Sequence, residues 1–131
     1  MAPSKYYVLD SSVWIALFID DDSQHETAVS VMNMIGDDTI VIPYLVLTEV
    51  ATVLTTKHSF EQAAAFIAFA QNSIQNLLVP DYPESEIQFF LSQKQNLSFI
   101  DVTLIGLTLR HSYHLVTFDK KMQKYYQKLL G

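Results

Sequence analysis

Four short apolar runs, each followed by a segment with helical spacing, constrain the fold of this chain more than any other feature. The runs cover residues 6–9, 40–42, 77–79 and 115–118. Strands that are apolar throughout and separated by helices are typical of a parallel sheet covered on both faces. The pattern therefore predicts an α/β fold with a parallel sheet of four or five strands.

The segments between these runs carry helix start and stop signals. Ser11 or Asp10 is placed to cap a helix over about 12–18, and Ser98 to cap one over about 100–111. Capping-box spacing at Ser23 and Glu26 predicts a helix that ends at Gly36. Further helices are expected over 46–54, from Ser59 with Gln62 in the same spacing, from Pro83 to about residue 95, and from residue 120 onward.

Length and composition limit the organisation of the protein. A chain of 131 residues, half of it apolar, can close one hydrophobic core, so we predict a single domain over residues 1–131. Its apolar stretches are shorter than a membrane span, and the apolar run near the N-terminus has only four residues. The sequence has no cysteine, which favours a cytoplasmic protein without disulfide or thiolate chemistry.

The formal net charge of −6 disfavours a protein that holds nucleic acid by bulk electrostatic attraction. It still permits an enzyme that reaches phosphates through metal ions. The acids in polar turns, at positions 20–22 and 37–38, are expected to face solvent. Other acids stand in less ordinary places.

Two aspartates follow predicted strands. Asp10 comes directly after the first apolar run and Asp119 directly after the fourth. In open parallel sheets, ligands bind beyond the carboxyl ends of the strands, where the strand order reverses. If the first and fourth strands are neighbours, both carboxylates reach the same place.

Two more acids interrupt helical segments that are otherwise apolar. Glu49 lies at the border of an apolar stripe that includes Val46 and Val50. Asp101 shares a helix face with Leu104 and Ile105, at positions i+3 and i+4. A carboxylate on a buried face costs free energy unless it is paired or coordinated.

Each acid also has a structural explanation. Asp10 and Asp119 both precede helices and are favourable N-caps. Asp101 has capping-box spacing from Ser98, and an acid in the position of Glu49 is commonly solvated. The coincidence of two strand-end acids with two acids in apolar helices is what favours a site.

Four gathered carboxylates repel one another and raise each other's pKa values, so such a cluster is stable chiefly around a divalent cation. The chain offers oxygen ligands without cysteine, and its four histidines lack HxxxH or HExxH spacing. This ligand chemistry favours Mg²⁺ or Mn²⁺ over zinc. Cations of this kind, held by a few carboxylates, commonly handle phosphate esters.

Three segments together resemble the PIN-domain ribonucleases, and most closely the small VapC-type toxins of bacterial toxin–antitoxin pairs: VLDSSVWIAL, PYLVLTEV and LSFIDVTLIGLTLRHSYHLVTFDKKM. The resemblance extends over essentially the whole chain. It implies a three-layer sandwich with strand order 3-2-1-4 and an Mg²⁺ or Mn²⁺ site. The matching site positions are Asp10, Glu49, Asp101 and Asp119.

The resemblance also implies roles for two hydroxyls and two macromolecular partners. Ser12 and Thr117 match positions that orient the carboxylates or a metal-bound water, although capping and strand chemistry explain them almost as well. The expected activity is hydrolysis of single-stranded or looped RNA that leaves a 5′-phosphate and a 3′-hydroxyl. A small antitoxin is expected to cover the acidic cleft or to insert a basic side chain into it. Homodimers are common in the family, with residues 60–69 as a candidate surface that core burial explains equally well.

The sequence departs from the family after the fourth carboxylate. Many members carry another acid or an aromatic there, whereas this chain has Lys120, Lys121 and Met122. This puts a fifth acidic ligand and a second metal in doubt. Arg110 and the two lysines are possible contacts for RNA phosphates, or simply part of a solvated face.

Two other functions remain compatible with the sequence. In a phosphoacceptor receiver domain, Asp81 after the third strand could be the phosphorylated residue. Such a domain also needs an acid beside Asp10, where this chain has Ser11. A phosphatase of the DxD type would need an aspartate in place of Ser12. A non-catalytic protein-binding module with the same fold is the second alternative, although the presence of all four acids disfavours it.

Overall fold

A four-stranded parallel sheet forms the centre of the fold in the computed structural model, which describes residues 4–131. The strands are β1 (Tyr6–Leu9), β2 (Thr39–Pro43), β3 (Asn76–Val79) and β4 (His114–Val116). Their spatial order is β3-β2-β1-β4, and all three pairings are parallel. The predicted α/β class and strand order are confirmed, and the described residues contain no fifth strand.

Seven helices connect and follow the strands in residues 4–131. They are α1 (Ser11–Phe18), α2 (His25–Ile35), α3 (Tyr44–Lys57), α4 (Phe60–Asn72), α5 (Pro83–Gln93), α6 (Phe99–His111) and α7 (Lys120–Leu130). Helix α1 packs against α2 and α3, α3 packs against α4, and α6 packs against both α5 and α7. Because parallel crossovers are right-handed, the connections toward β3 and the return to β4 lie on opposite faces of the sheet. No helix in this range is long and apolar enough to cross a membrane.

The hydrophobic core lies against the two central strands. Val8 and Leu9 of β1 and the apolar residues of β2 are fully buried. On one face Trp14 packs edge-on against Phe66, with ring centroids 5.4 Å apart. The aromatic character of α4 therefore serves the core through Phe66, whereas Phe60 at its start is exposed.

The third strand differs from the prediction in its burial. Leu77 and Leu78 are exposed, because β3 lies at the edge of the sheet. A continuous apolar run indicated a strand correctly, but it did not distinguish an edge strand from a central one.

Local hydrogen bonds account for the successes and failures of the helix boundaries. The side chains of Ser59 and Ser98 cap α4 and α6 as predicted. The prediction of a capping box at Ser23 and Glu26 is wrong, because α2 begins at His25 without a side-chain cap. The Asp22 carboxylate instead accepts the Gln24 N–H at 2.8 Å and forms a turn there.

The packing of α5 on α6 depends on a close approach at Gly106. A Cβ added at this buried position would lie 2.8 Å from Cδ2 and 3.2 Å from Cγ of Phe89. We expect Gly106→Ala to lower the free energy of unfolding by about 1–2 kcal/mol, because overpacking outweighs the better helix propensity of alanine. Chemical denaturation measures the change.

A double-mutant cycle isolates the cause. In a Phe89→Ala background, Gly106→Ala should be neutral or stabilising, because the ring that it would overlap is gone. An equal loss of stability in both backgrounds would contradict this explanation.

Candidate acidic active site

The carboxyl ends of β1 and β4 lie side by side. Leu9 is in register with Val116, and the Asp10 N–H donates to the Val116 carbonyl at 3.1 Å. This hydrogen bond places Asp10 at the edge of the sheet, where the chain leaves β1 and enters α1. The prediction that strands one and four are neighbours is confirmed.

Asp10 is buried and receives two short hydroxyl hydrogen bonds. Ser12 Oγ donates to Asp10 Oδ1 at 2.5 Å, and Thr117 Oγ1 donates to Asp10 Oδ2 at 2.5 Å. The Val13 N–H donates to Oδ1 at 3.4 Å, so the same carboxylate also caps α1. Both oxygens of Asp10 are thereby held in fixed directions.

The two hydroxyls also accept hydrogen bonds from the segment after β4. The Phe118 N–H donates to Ser12 Oγ at 3.1 Å, and the Asp119 N–H donates to Thr117 Oγ1 at 3.0 Å. This network explains why β4 ends at Val116 rather than at the predicted residue 118: the backbone turns away from the strand ladder to meet the hydroxyls. Ser12 and Thr117 thus both contact the carboxylate of Asp10.

Asp119 stands at the start of α7, three residues after β4 ends. Its side chain accepts the Met122 N–H at 3.0 Å, as an N-cap does. The residue is exposed. The capping explanation is confirmed for both Asp10 and Asp119, and it is compatible with the predicted site because both helices begin at the same edge of the sheet.

Asp101 lies in the first turn of α6 and is half-buried. Its N–H donates to Ser98 Oγ at 3.1 Å, and Leu104 and Ile105 on its face are buried as predicted. Burial raises the pKa of the Asp101 carboxyl above 3.8, a hydrogen bond from Ser98 lowers it in part, and repulsion from three other acids raises it further. Those acids are Asp10, Asp119 and Glu49.

The four acids singled out from the sequence are therefore near enough for three of them to act on Asp101, and we call them the acidic cluster. Glu49 joins it from α3, where it is partly buried beside the buried Val50. Burial also raises the pKa of the Asp10 carboxyl above 3.8, since desolvation outweighs the hydrogen bonds from Ser12, Thr117 and the backbone. The cluster therefore combines buried charge with like-charge repulsion.

No cation among the described residues offsets this negative charge. Within residues 4–131 the ion pair is that of His25 Nε2 with Asp20 Oδ1, at 3.9 Å, and it lies outside the cluster. No three acid or histidine side chains in that range are close enough to enclose a metal ion as they stand. The oxygen donors suit a hard cation in type and charge, but Asp10 and Asp119 direct oxygens to hydroxyl and backbone donors.

The three possible RNA contacts lie in different places. Lys120 and Lys121 are exposed in the first turn of α7, next to Asp119. Arg110 lies nine residues beyond Asp101 on α6, roughly 13 Å along the helix axis. Arg110 is therefore at the far end of α6 from the acidic cluster.

Sequence reasoning missed two polar side chains that hold the backbone where helices begin, one before α7 and one at the start of α5. Gln123 Nε2 donates to the Thr117 carbonyl at 2.5 Å and so fixes the turn between β4 and α7. Glu86 is a buried acid that accepts the Tyr82 N–H at 2.8 Å at the start of its own helix. The four-residue spacing from Tyr82 to Glu86 was the available signal for the second contact.

Comparison with known proteins agrees with this geometry. The family model of the PIN domain matches residues 7–128. The chain belongs to the PIN domain family. A search of curated proteins gave no match.

A solved structure has the same fold as this PIN domain. It is that of VapC20 from Mycobacterium tuberculosis, described as a toxin that cleaves the sarcin–ricin loop. The TM-score is 0.81 at 21% sequence identity, and the alignment covers 91% of this chain and 94% of VapC20.

The alternative of a phosphoacceptor receiver domain fits the structure poorly, because Asp81 follows the edge strand β3.

The raised pKa of Asp10 predicts how stability depends on pH without metal. Because the folded-state pKa exceeds the unfolded value, the folded protein binds more protons between the two values, and its stability falls as the pH rises through that window. In EDTA, Asp10→Asn should remove this pH-dependent contribution to the free energy of unfolding, while the asparagine side chain still offers an acceptor at the N-cap. Urea denaturation from about pH 4 to 7 should show Asp10→Asn gaining stability relative to the wild type.

Asp21→Asn is the matched control, since Asp21 is exposed in a turn. Its stability curve should run parallel to that of the wild type. A parallel curve for Asp10→Asn would contradict the assigned cause.

Proposed function

We propose that this PIN domain is a metal-dependent endoribonuclease, and that it is the toxin of a toxin–antitoxin pair. The observation that supports the proposal is the grouping of four acids near the carboxyl ends of β1 and β4, in which Asp10, Asp119 and Glu49 all repel the carboxylate of Asp101. Such a cluster stores unfavourable electrostatic energy that a divalent cation relieves. Membership of the PIN domain family makes phosphodiester hydrolysis the favoured use of that cation.

The proposed ligands of the principal ion are Asp10, Asp101 and Asp119, with Glu49 either binding it or holding a water in its outer shell. The ion is Mg²⁺ or Mn²⁺, because all four donors are carboxylates. When bound, it supplies charge neutralisation at the scissile phosphate and activation of water. The chain's own residues keep the ligands in place.

Ser12 and Thr117 are the proposed positioning residues. Each donates a hydrogen bond to a different oxygen of Asp10 and accepts one from the backbone that leads to Asp119. A metal ligand fixed in this way loses little conformational freedom when the ion binds. The hydroxyl pair thus couples the position of Asp10 to that of Asp119.

The proposed substrate is single-stranded or looped RNA, cut to leave a 5′-phosphate and a 3′-hydroxyl. VapC20, which has the same fold, is described as cleaving the sarcin–ricin loop, and a looped RNA is the corresponding substrate class here. The proposed partners are a small antitoxin that covers the acidic cluster and a second copy of the chain. The proposed location is the cytoplasm.

Cleavage of a mixed RNA pool tests the catalytic assignment. We expect cleavage with Mn²⁺, none with EDTA, and a loss of at least about 100-fold for Asp101→Asn, since removal of a ligand should cost at least as much as removal of an outer-shell partner. Asp81→Asn is the control, because Asp81 also follows a strand of the sheet but does not contribute to the repulsion on Asp101. Equal cleavage under all conditions would refute the assignment.

Metal binding has a readout that does not depend on activity. Saturating Mn²⁺ should raise the melting temperature of the wild type by about 5 °C or more, because an ion that binds only the folded state stabilises it by mass action. Asp101→Asn should lose most of this shift and Asp81→Asn should keep it. An unchanged shift in Asp101→Asn would place the ion elsewhere.

A further inference from the structure

A basic cleft lies beside the acidic cluster. It has a volume of about 380 Å³ and is formed between the segment after α5 and one face of α7. Its lining includes Lys94, Lys121, Lys124 and Lys128, with Asn96 and Tyr125. These four lysines are half of the eight lysine and arginine residues in a chain of net charge −6.

The three lysines of α7 are arranged along one helix face. Lys121, Lys124 and Lys128 stand at positions i, i+3 and i+7, which share a face. They extend over roughly 10 Å of the helix axis, a length that can follow more than one phosphate of a nucleic-acid strand. Lys121 Nζ also donates to the Asn96 carbonyl at 3.0 Å and so joins α7 to the opposite wall of the cleft.

The opposite wall carries a lysine in an unusual backbone conformation. Lys94 ends α5 with φ 53° and ψ 45°, in the left-handed region that favours glycine or asparagine. The cleft thus holds a cation at a position where glycine would be less strained. Within residues 4–131 no lysine lies within 4.0 Å of an acidic oxygen, so the four cleft lysines form no ion pair in the part of the chain described.

The connectivity places the cleft next to two of the four acids. Lys121 is two residues after Asp119, which caps α7, and Leu97 in the cleft wall directly precedes Ser98, which caps the helix that carries Asp101. A polyanion that lies in the cleft is therefore led toward the acidic cluster. Alone, that cluster would repel it.

We propose that this cleft binds the phosphate backbone of the RNA substrate and leads the strand to the acidic cluster. The inference rests on the proposed ribonuclease function and adds the path of the substrate. Clustered unpaired lysines suit a phosphate backbone, since interactions of this kind position a strand without reading its sequence. Three of the four lysines lie outside the RNA-binding residues that the sequence predicted.

Binding of a fluorescently labelled single-stranded RNA of mixed sequence tests the proposal. The assay uses an Asp101→Asn background in Mg²⁺, so that the RNA stays intact. We expect Lys124→Gln/Lys128→Gln to weaken binding roughly tenfold at low salt. The slope of log affinity against log salt should fall by about 1.4, because each phosphate that a lysine no longer neutralises lowers the slope by about 0.7.

Two further variants separate charge from folding. Lys5→Gln/Lys57→Gln removes the same charge from exposed sites outside the cleft and should leave the affinity within about twofold of the background. Lys94→Gly removes a cleft cation while relieving the left-handed backbone, so it should weaken RNA binding without lowering stability.

The proposal is overturned if the cleft pair and the control pair weaken binding equally, or if the background binds no RNA. It is also overturned if the cleft variants change only the binding of an acidic peptide. Cleavage by the wild-type protein is measured separately. If RNA binding depends on the cleft lysines but the wild type shows no Mn²⁺-dependent cleavage, the cleft proposal stands and the ribonuclease proposal fails. If the wild type cleaves RNA but binding does not depend on the cleft lysines, the ribonuclease proposal stands and the cleft proposal fails.

Discussion

The carboxylate of Asp10 is the point on which the rest of this site depends. It is buried, it caps α1, and its two oxygens accept hydrogen bonds from Ser12 and Thr117 at 2.5 Å each. Through Thr117 it fixes the backbone that delivers Asp119 to the same edge of the sheet. A buried carboxylate with donors on both oxygens has few alternative positions, and this gives the site its rigidity.

The cost of the arrangement is electrostatic. Burial raises the pKa values of Asp10 and Asp101, and repulsion from Asp10, Asp119 and Glu49 raises that of Asp101 further, so the folded chain holds negative charges that its own residues do not neutralise. Proteins commonly retain such strain where function requires it. Half of the lysine and arginine residues line a cleft along α7 instead of forming ion pairs with these acids.

Much of this architecture could be predicted from the sequence. The apolar runs located all four strands, the serine caps located α4 and α6, and the family resemblance supplied the strand order. Two errors concern the ends of helices and strands. The predicted capping box at Ser23 is absent, because Asp22 forms a turn there, and β4 ends two residues earlier than predicted. Both followed from side chain to backbone hydrogen bonds, which compete with regular structure and leave a weak signal in sequence.

The sequence by itself determined which residues carry charge and how hydrophobic spacing divides the chain, because both depend on side-chain type and local order. It thereby identified four acids in unusual settings. Only the tertiary structure decided that residues 107 positions apart, Asp10 and Thr117, share a hydrogen bond, and that four of the eight cations line one cleft. Such contacts arise from strand order and helix packing, which bring distant segments together through interactions that no short stretch of sequence contains.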